Sequence, residues 1–340
     1  MMRKALSIII PCFDEEACLD ELHRRVSAVA HGTVGADHEI ILVNDGSRDG
    51  SWAKMQALCA SDPQVVAVNL SRNHGHQLAL TSGLDLACGD CILILDADLQ
   101  DPPELLPDMM AAMRDQQADV VYAVRRKRAG ESIAKRATAT LFYRLLARLT
   151  DTDIPLDTGD FRLMSRRALD ALMAMPEQAR FVRGMVAWIG FKQVPITYDR
   201  AERIAGETKY PFSKMFGLAF DAITGFSTAP LRFASHAGLW LVAASVLILG
   251  YILIGWMRGN TVEGWTSLML LVVLLGAAQM FVLGMIGEYL GRLYMEAKRR
   301  PTYIVADVIG PVSGSPRLGH HAVTTATNDT PIGSDTRPTS

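Results

Sequence analysis

Asp96 and Asp98 stand two residues apart just after the apolar run Cys91–Leu95, so both carboxylates can lean toward one ligand. Two carboxylates with open positions suit a hard divalent cation that shares phosphate oxygens. Asp45 precedes Gly46, the pattern of a tight turn that brings backbone close to a ligand. Its carboxylate could accept hydrogen bonds from a nucleobase or ribose, or close an Asx-turn. Asp14 follows the first apolar run and has the same two readings. Asp101, just before Pro102, reads as a helix cap. Cys88 and Cys91 form a C-x-x-C with no second pair to complete a tetrahedral zinc site, and read as structural cysteines. His74 and His76 have no nearby Cys or third His, and read as loop residues.

These residues need elements to position them. Five short runs rich in Ile, Val and Leu stand out: Leu6–Ile10, Glu39–Val43, Val65–Leu70, Cys91–Leu95 and Asp119–Val124. Helix-like stretches such as Glu15–Ala30 and Ser51–Ala60 separate them. Near-continuous apolar strands alternating with helices imply an α/β fold, with a mostly parallel sheet covered on both faces. Ligands of such sheets bind beyond the carboxyl ends of the strands. Polar loops follow four successive runs: Pro11–Glu16, Asn44–Ser51, Ser71–His76 and Asp96–Asp98. Together they outline one site on one edge.

The chain has 340 residues, room for roughly two units at about 150 residues each. A hydrophobic share of 49% excludes a disordered protein. A formal charge of −2 gives no support to a nucleic-acid partner. Five Cys in this length are no disulfide framework. Mean hydropathy is high, at +0.16. The apolar residues collect late: 25 residues between Arg232 and Arg258 carry no Asp, Glu, Lys or Arg, and neither do the 24 from Gly264 to Gly287. About 20 apolar residues cross a bilayer as helix. Two spans, about 234–257 and 264–287, would form a hairpin. Arg232, Lys298, Arg299 and Arg300 lie on one side of it and only Arg258 in the turn, which puts the N-terminal part and the tail in the cytoplasm. Arg3 and Lys4 precede the first apolar run, but no small-residue cleavage site follows, so that run reads as a buried strand. Phe212, Phe216, Phe220 and Ile223 recur at helical spacing, as in an amphipathic helix lying in the membrane interface, with a buried cytoplasmic helix as the alternative. Residues 311–340, rich in Pro, Gly, Ser and Thr, read as a disordered tail.

The stretches Ser7–Glu16, Val43–Ser47 and Asp96–Asp98 resemble glycosyltransferase family 2, which implies a GT-A-type sheet. Asp157–Arg166 and Gly287–Pro301 are similar to the polyisoprenyl-phosphate glycosyltransferases of the bactoprenol glucosyltransferase type. The resemblance implies inverting transfer of a hexose, glucose from UDP-glucose for preference, to undecaprenyl phosphate. GDP-mannose and UDP-N-acetylglucosamine are the alternative donors. It places this reaction at the cytoplasmic face of the bacterial inner membrane. Pro11, Asp14, Glu16, Asp45 and Asp96 would hold the nucleotide, with Arg203 and Lys209 in a loop closing over it. Asp96 and Asp98 would hold Mg2+ or Mn2+. Asp160 matches the position proposed as catalytic base, with Asp157 beside it. Arg125, Lys135 and Arg136 would gather the lipid phosphate. A homo-oligomer is implied as well. No Gln-x-x-Arg-Trp signature of processive synthases occurs, which favours one transfer per acceptor.

The implied division is a catalytic domain over 1–209, an interfacial helix over 210–231, the two spans within 232–291, a cytoplasmic return over 292–310 and the tail. A phosphate monoester has a second pKa near 6 and is mostly a dianion at neutral pH. Such a nucleophile hardly needs a base, so Asp160 is expected to orient more than to deprotonate. A non-catalytic nucleotide-sugar scaffold would not need Asp96, Asp98 and Asp160 together. A channel is a poor alternative, since the spans hold almost no charge.

Overall fold

The computed structural model describes residues 3–125, 158–199, 229–258 and 264–311. Each apolar run becomes a strand: β1 (Lys4–Cys12), β2 (His38–Asn44), β3 (Val65–Leu70), β4 (Gly89–Ile94) and β5 (Val120–Arg125). Three further strands were not read from the sequence: β6 (Thr158–Ser165), β7 (Gln193–Tyr198) and β8 (Val305–Ile309). They form one sheet in the order β7-β5-β6-β4-β1-β2-β3-β8. Only β6 and β8 run antiparallel to their neighbours, so the sheet is mostly parallel, as expected.

The first part of the chain follows the period of its apolar residues. In α1 (Leu19–Val34) the buried positions are Leu19, Leu22, Val26 and Ala30, one stripe at three- to four-residue spacing. Asp20 and Glu21 face the positive end of that helix. With α2 (Ser51–Ser61) and α4 (Leu106–Asp115), α1 covers the sheet face that carries Leu6, Ile8 and Ile10 of β1. The opposite face, with Ile9 and Ile94, packs against α3 (His76–Leu86), α5 (Arg166–Met173) and α6 (Val182–Trp188). Ser165 caps α5 by accepting from the Ala168 amide at 3.2 Å.

Two long helices follow, α7 (Ala229–Met257) and α8 (Trp265–Lys298), which touch one another. Within α8, Leu271–Lys298 is long and apolar enough to cross a bilayer, with a mean hydropathy of 1.9 and none of its most apolar stretch buried. At 34 residues α8 is about 51 Å long, more than the ~30 Å of hydrocarbon. Toward its charged end Glu288 and Arg292 pair at 3.1 Å, one helical turn apart. α7 carries a shorter apolar stretch, Gly238–Ile248. The expected interfacial helix around Phe212–Ile223 and the tail beyond residue 311 lie outside the described residues.

After α8 the chain turns back to the sheet. Tyr303 is fully buried and donates its hydroxyl to Asp85. β8 then pairs with β3, and Asn69 donates to Asp307 across that pair at 3.0 Å. A Cβ on Gly310 would meet the Val65 carbonyl at 2.5 Å, so the return segment lies hard against β3.

Candidate active site

The strand ends converge as expected, and backbone amides do much of the convergence. Asp14 stands at positive φ (56°) after β1. Its amide donates to Ser47 Oγ at 3.0 Å, and its Oδ1 accepts from the Arg48 amide at 2.7 Å. Glu16 Oε2 accepts from the Gly50 amide at 2.8 Å. Both carboxylates thus tie the β1 loop to the β2 loop. Pro11 is buried at the end of β1, in register with Val43. Asp45 is buried and accepts from the His74 and Gly75 amides at 2.7 and 2.9 Å. Burial raises its pKa, and those two bonds oppose the shift.

Gly46 follows at φ 69°, and a Cβ there would lie 2.5 Å from the Asn73 amide nitrogen. Both the angle and the clash involve backbone, which cannot swing aside. Gly46→Ala is expected to cost about 1–3 kcal/mol of stability, read as a lower urea midpoint at unchanged slope.

Asp96 follows β4, and its buried Oδ1 has no hydrogen-bond partner. Its pKa is pushed up to about 6, chiefly by burial. His76 opposes the rise, while the charges of Asp160, Asp101 and Asp98 add to it. Asp98 is half-buried and accepts from the Gln100 amide at 3.1 Å. Among the described residues, no group of three or more His, Cys, Asp or Glu closes around one point at metal-binding spacing. The donor set nonetheless fits an oxygen-preferring ion. An orphaned carboxylate oxygen, destabilised by its neighbours' charge, is what a cation would relieve, and water or phosphate oxygens commonly fill the other positions.

Asp160 enters from β6, the antiparallel strand beside β4, and is 7% exposed. Its Oδ2 accepts from Gln77 Nε2 at 2.9 Å and lies 3.2 Å from His76 Nε2. Its Oδ1 lies 3.5 Å from Arg162 and 3.6 Å from Arg183. Burial alone would raise the Asp160 pKa. The His76 bond and the charges of Arg162 and Arg183 outweigh burial and hold it well below the usual carboxylate range. Arg162 is itself buried, which lowers it to about 10. It bonds the carbonyls of Asp160 and Gly159 at 3.3 and 3.1 Å.

The structure corrects two readings. His76 is no bystander of a loop. Gly75, at φ 95°, turns the chain into α3 so that the His76 ring reaches Asp160 and, at 3.6 Å, Asp96 Oδ1. The signal available was its place after a strand end that already carried polar residues. Asp101 caps no helix. It is buried, accepts from the Tyr198 hydroxyl, and lies 3.9 Å from Arg125. Arg125 donates to that same hydroxyl at 3.2 Å, so part of its donor capacity is used inside the fold. Gln77, Arg162 and Arg183 also belong to the cluster and had no sequence signal of their own. Asp157, Lys135, Arg136, Arg203 and Lys209 lie outside the described residues. The five Cys are free, as expected.

The α6 region joins this cluster to α8, since the Gln178 amide donates to Glu296 Oε1 at 2.9 Å. The chemistry is that of ionised and cation-seeking carboxylates at a sheet edge, tied to the end of an apolar helix.

Comparison with known proteins agrees. The family model for Glycosyl transferase family 2 matches residues 7–173. The glycosyltransferase YkcC of Bacillus subtilis is 46% identical over 89% of this chain and 94% of its own. A prophage bactoprenol glucosyl transferase homolog of Escherichia coli is 40% identical over 89% of this chain and 99% of its own. The bactoprenol glucosyl transferase of Shigella phage SfV is 38% identical over 88% and 97%. With likeness of this extent, and with its acidic residues gathered at the sheet edge, the chain belongs to glycosyltransferase family 2 and is a glycosyltransferase.

Proposed function

We propose that the protein transfers a hexose, glucose from UDP-glucose for preference, to the phosphate of a polyisoprenyl lipid at the cytoplasmic face of the bacterial inner membrane. One observation carries this reading: the segment that brings Arg183 to the carboxylate cluster is tied to the end of an apolar helix, by a hydrogen bond from the Gln178 amide to Glu296. A lipid phosphate stays in the bilayer, so the enzyme must hold its site at that surface. The names of the Escherichia coli and phage relatives support the same acceptor. The membrane part is a two-span hairpin, 234–257 and 264–287, with the catalytic domain and both termini in the cytoplasm. The protein works as a homo-oligomer.

In the reaction an acceptor phosphate oxygen attacks the anomeric carbon from the face opposite the leaving group. The bond from that carbon to the diphosphate oxygen breaks, its electron pair leaves with the nucleoside diphosphate, and the configuration inverts. Asp96 and Asp98 would hold Mg2+ or Mn2+, which when bound supplies positive charge beside the diphosphate. Pro11, Asp14, Glu16 and Asp45 build the nucleoside end of the cleft, which Arg203 and Lys209 close. Asp160, with Asp157 nearby in sequence, orients the reacting groups. An anionic Asp160 also favours a cationic His76 between it and Asp96, whose pKa Asp160 and Asp96 raise against the effect of burial. Arg125, Lys135 and Arg136 offset repulsion between the two phosphorylated reactants.

The test is a donor screen. Detergent-purified protein receives undecaprenyl phosphate, Mg2+ or Mn2+, and each radiolabelled nucleotide sugar in turn. Label is expected in the organic phase from UDP-glucose. Label from GDP-mannose or UDP-N-acetylglucosamine instead would replace the sugar and keep the reaction. No label from any donor, beside an active control enzyme, would overturn the reading.

A further inference from the structure

Among the described residues, Arg183 is the cation of the Asp160 cluster whose Nε the fold leaves without a partner. Arg162 and Arg183 bring two positive charges to one carboxylate. Arg162 is buried and bonded to backbone carbonyls, so the fold accounts for it. Arg183 approaches Asp160 only to 3.6 Å, and its Nε is buried without a hydrogen-bond partner. Its side chain is still 28% exposed, so solvent reaches it beside Asp160. A guanidinium presents five donors in a flat fork that matches phosphate oxygens.

Its position is fixed rather than incidental. The amide of its neighbour Val182 donates to Gln77 Oε1 at 2.9 Å. The other end of the same Gln77 amide holds Asp160. The Gln77 side chain thus holds both the carboxylate and the backbone next to Arg183. Five residues earlier, Gln178 is bonded to Glu296 near the end of α8. The segment bearing Arg183 therefore connects the reacting end of the cleft to the membrane helix. A donor nucleotide would enter from the Asp14 and Asp45 side, along β1 and β2 and across β4 from this point.

We infer that Arg183 binds the phosphate monoester of the lipid acceptor and sets it beside Asp160. This rests on the proposed reaction for the identity of the acceptor. Arg125, engaged by Tyr198 and facing Asp101, has less of its charge free for that task.

The experiment uses the full chain in detergent, with labelled undecaprenyl phosphate and labelled undecaprenol as probes in the absence of donor. Wild type is expected to retain the phosphate and not the alcohol. R183Q should weaken retention of the phosphate by about 10- to 100-fold, the range for one hydrogen bond to a charged group. R183K keeps the charge but not the fork, and should fall between. In turnover the Michaelis constant for lipid phosphate should rise in parallel while that for the nucleotide sugar stays put. A role confined to steadying Asp160 would lower kcat in both variants and leave phosphate retention unchanged, and that overturns the assignment. A rise in the donor constant alone also overturns it, and moves Arg183 to the donor diphosphate. If R183Q fails to fold, R183K and the wild-type preference for phosphate over alcohol decide the matter. Wild type that holds the phosphate but transfers no sugar would sink the proposed reaction and leave the anion site standing. Wild type that does not distinguish phosphate from alcohol would sink the site.

Discussion

Asp160→Asn is expected to cut sugar transfer by about 10²–10³-fold, and by the same factor at every pH from neutral to mildly alkaline. The side chain keeps its shape and one acceptor oxygen. What disappears is a negative charge that four neighbours hold in place: His76, Gln77, Arg162 and Arg183. Those neighbours keep the Asp160 pKa so low that it does not take a proton near neutrality. A base of that kind would be weak, and a phosphate dianion does not call for one. If Asp160 did remove a proton, hydroxide would substitute for it and the variant would recover as pH rose. The profile of kcat against pH for both proteins separates the two. The substitution also leaves Arg162 buried beside a neutral amide, and breaking a buried pair commonly costs about 3–5 kcal/mol. A melting curve therefore accompanies the rate measurement, which is made well below the variant's Tm.

Asp98→Ala and Asp96→Asn are each expected to reduce transfer by about 10²–10³-fold or more, and to weaken Mn2+ binding seen by electron paramagnetic resonance without any substrate. Their effects on the fold should differ. Asp98 is half-buried at a loop position, so its loss should move Tm less than a core change would. Asp96 has an orphaned buried oxygen and a pKa already pushed up to about 6 by burial and nearby carboxylates. Asp96→Asn removes that like-charge tension, and the variant should melt at or above the wild-type temperature while losing activity. Stability gained as function is lost marks a residue kept for its chemistry. Equal transfer by Asp98→Ala in the presence of a chelator would refute the metal assignment.

Much of this site could be read from the chain because four strand ends repeat one pattern, an apolar run closed by a polar loop, three of them carrying acids. β1 to β4 were legible for that reason, and β5 from its apolar run alone. β6 was not, since its centre carries Asp160 and Arg162, both buried, and polar residues break the apolar signal. β7 carries Pro195, which argues against a strand, yet it lies at the sheet edge where the missing N–H costs nothing. The residues gathered around Asp160 come from β6, α3 and α6, far apart in sequence, and no local spacing links them. His76 shows the limit best. Its type and neighbours looked like a loop, and only the turn at Gly75 aims its ring at the acids.

β8 belongs to the sheet that carries the site but is translated after α8, the helix long and apolar enough to cross a bilayer. Asn69 and Asp307, which meet across β3 and β8, are 238 residues apart. Until β8 arrives, β3 is an uncovered edge with a row of unpaired amides and carbonyls, the kind of edge that recruits other chains. The ribosome must deliver α7 and α8 before that edge can be sealed. On the proposed reading, membrane insertion and completion of the sheet are successive steps of one biogenesis, and the sheet released without α7, α8 and β8 would be left with a sticky border.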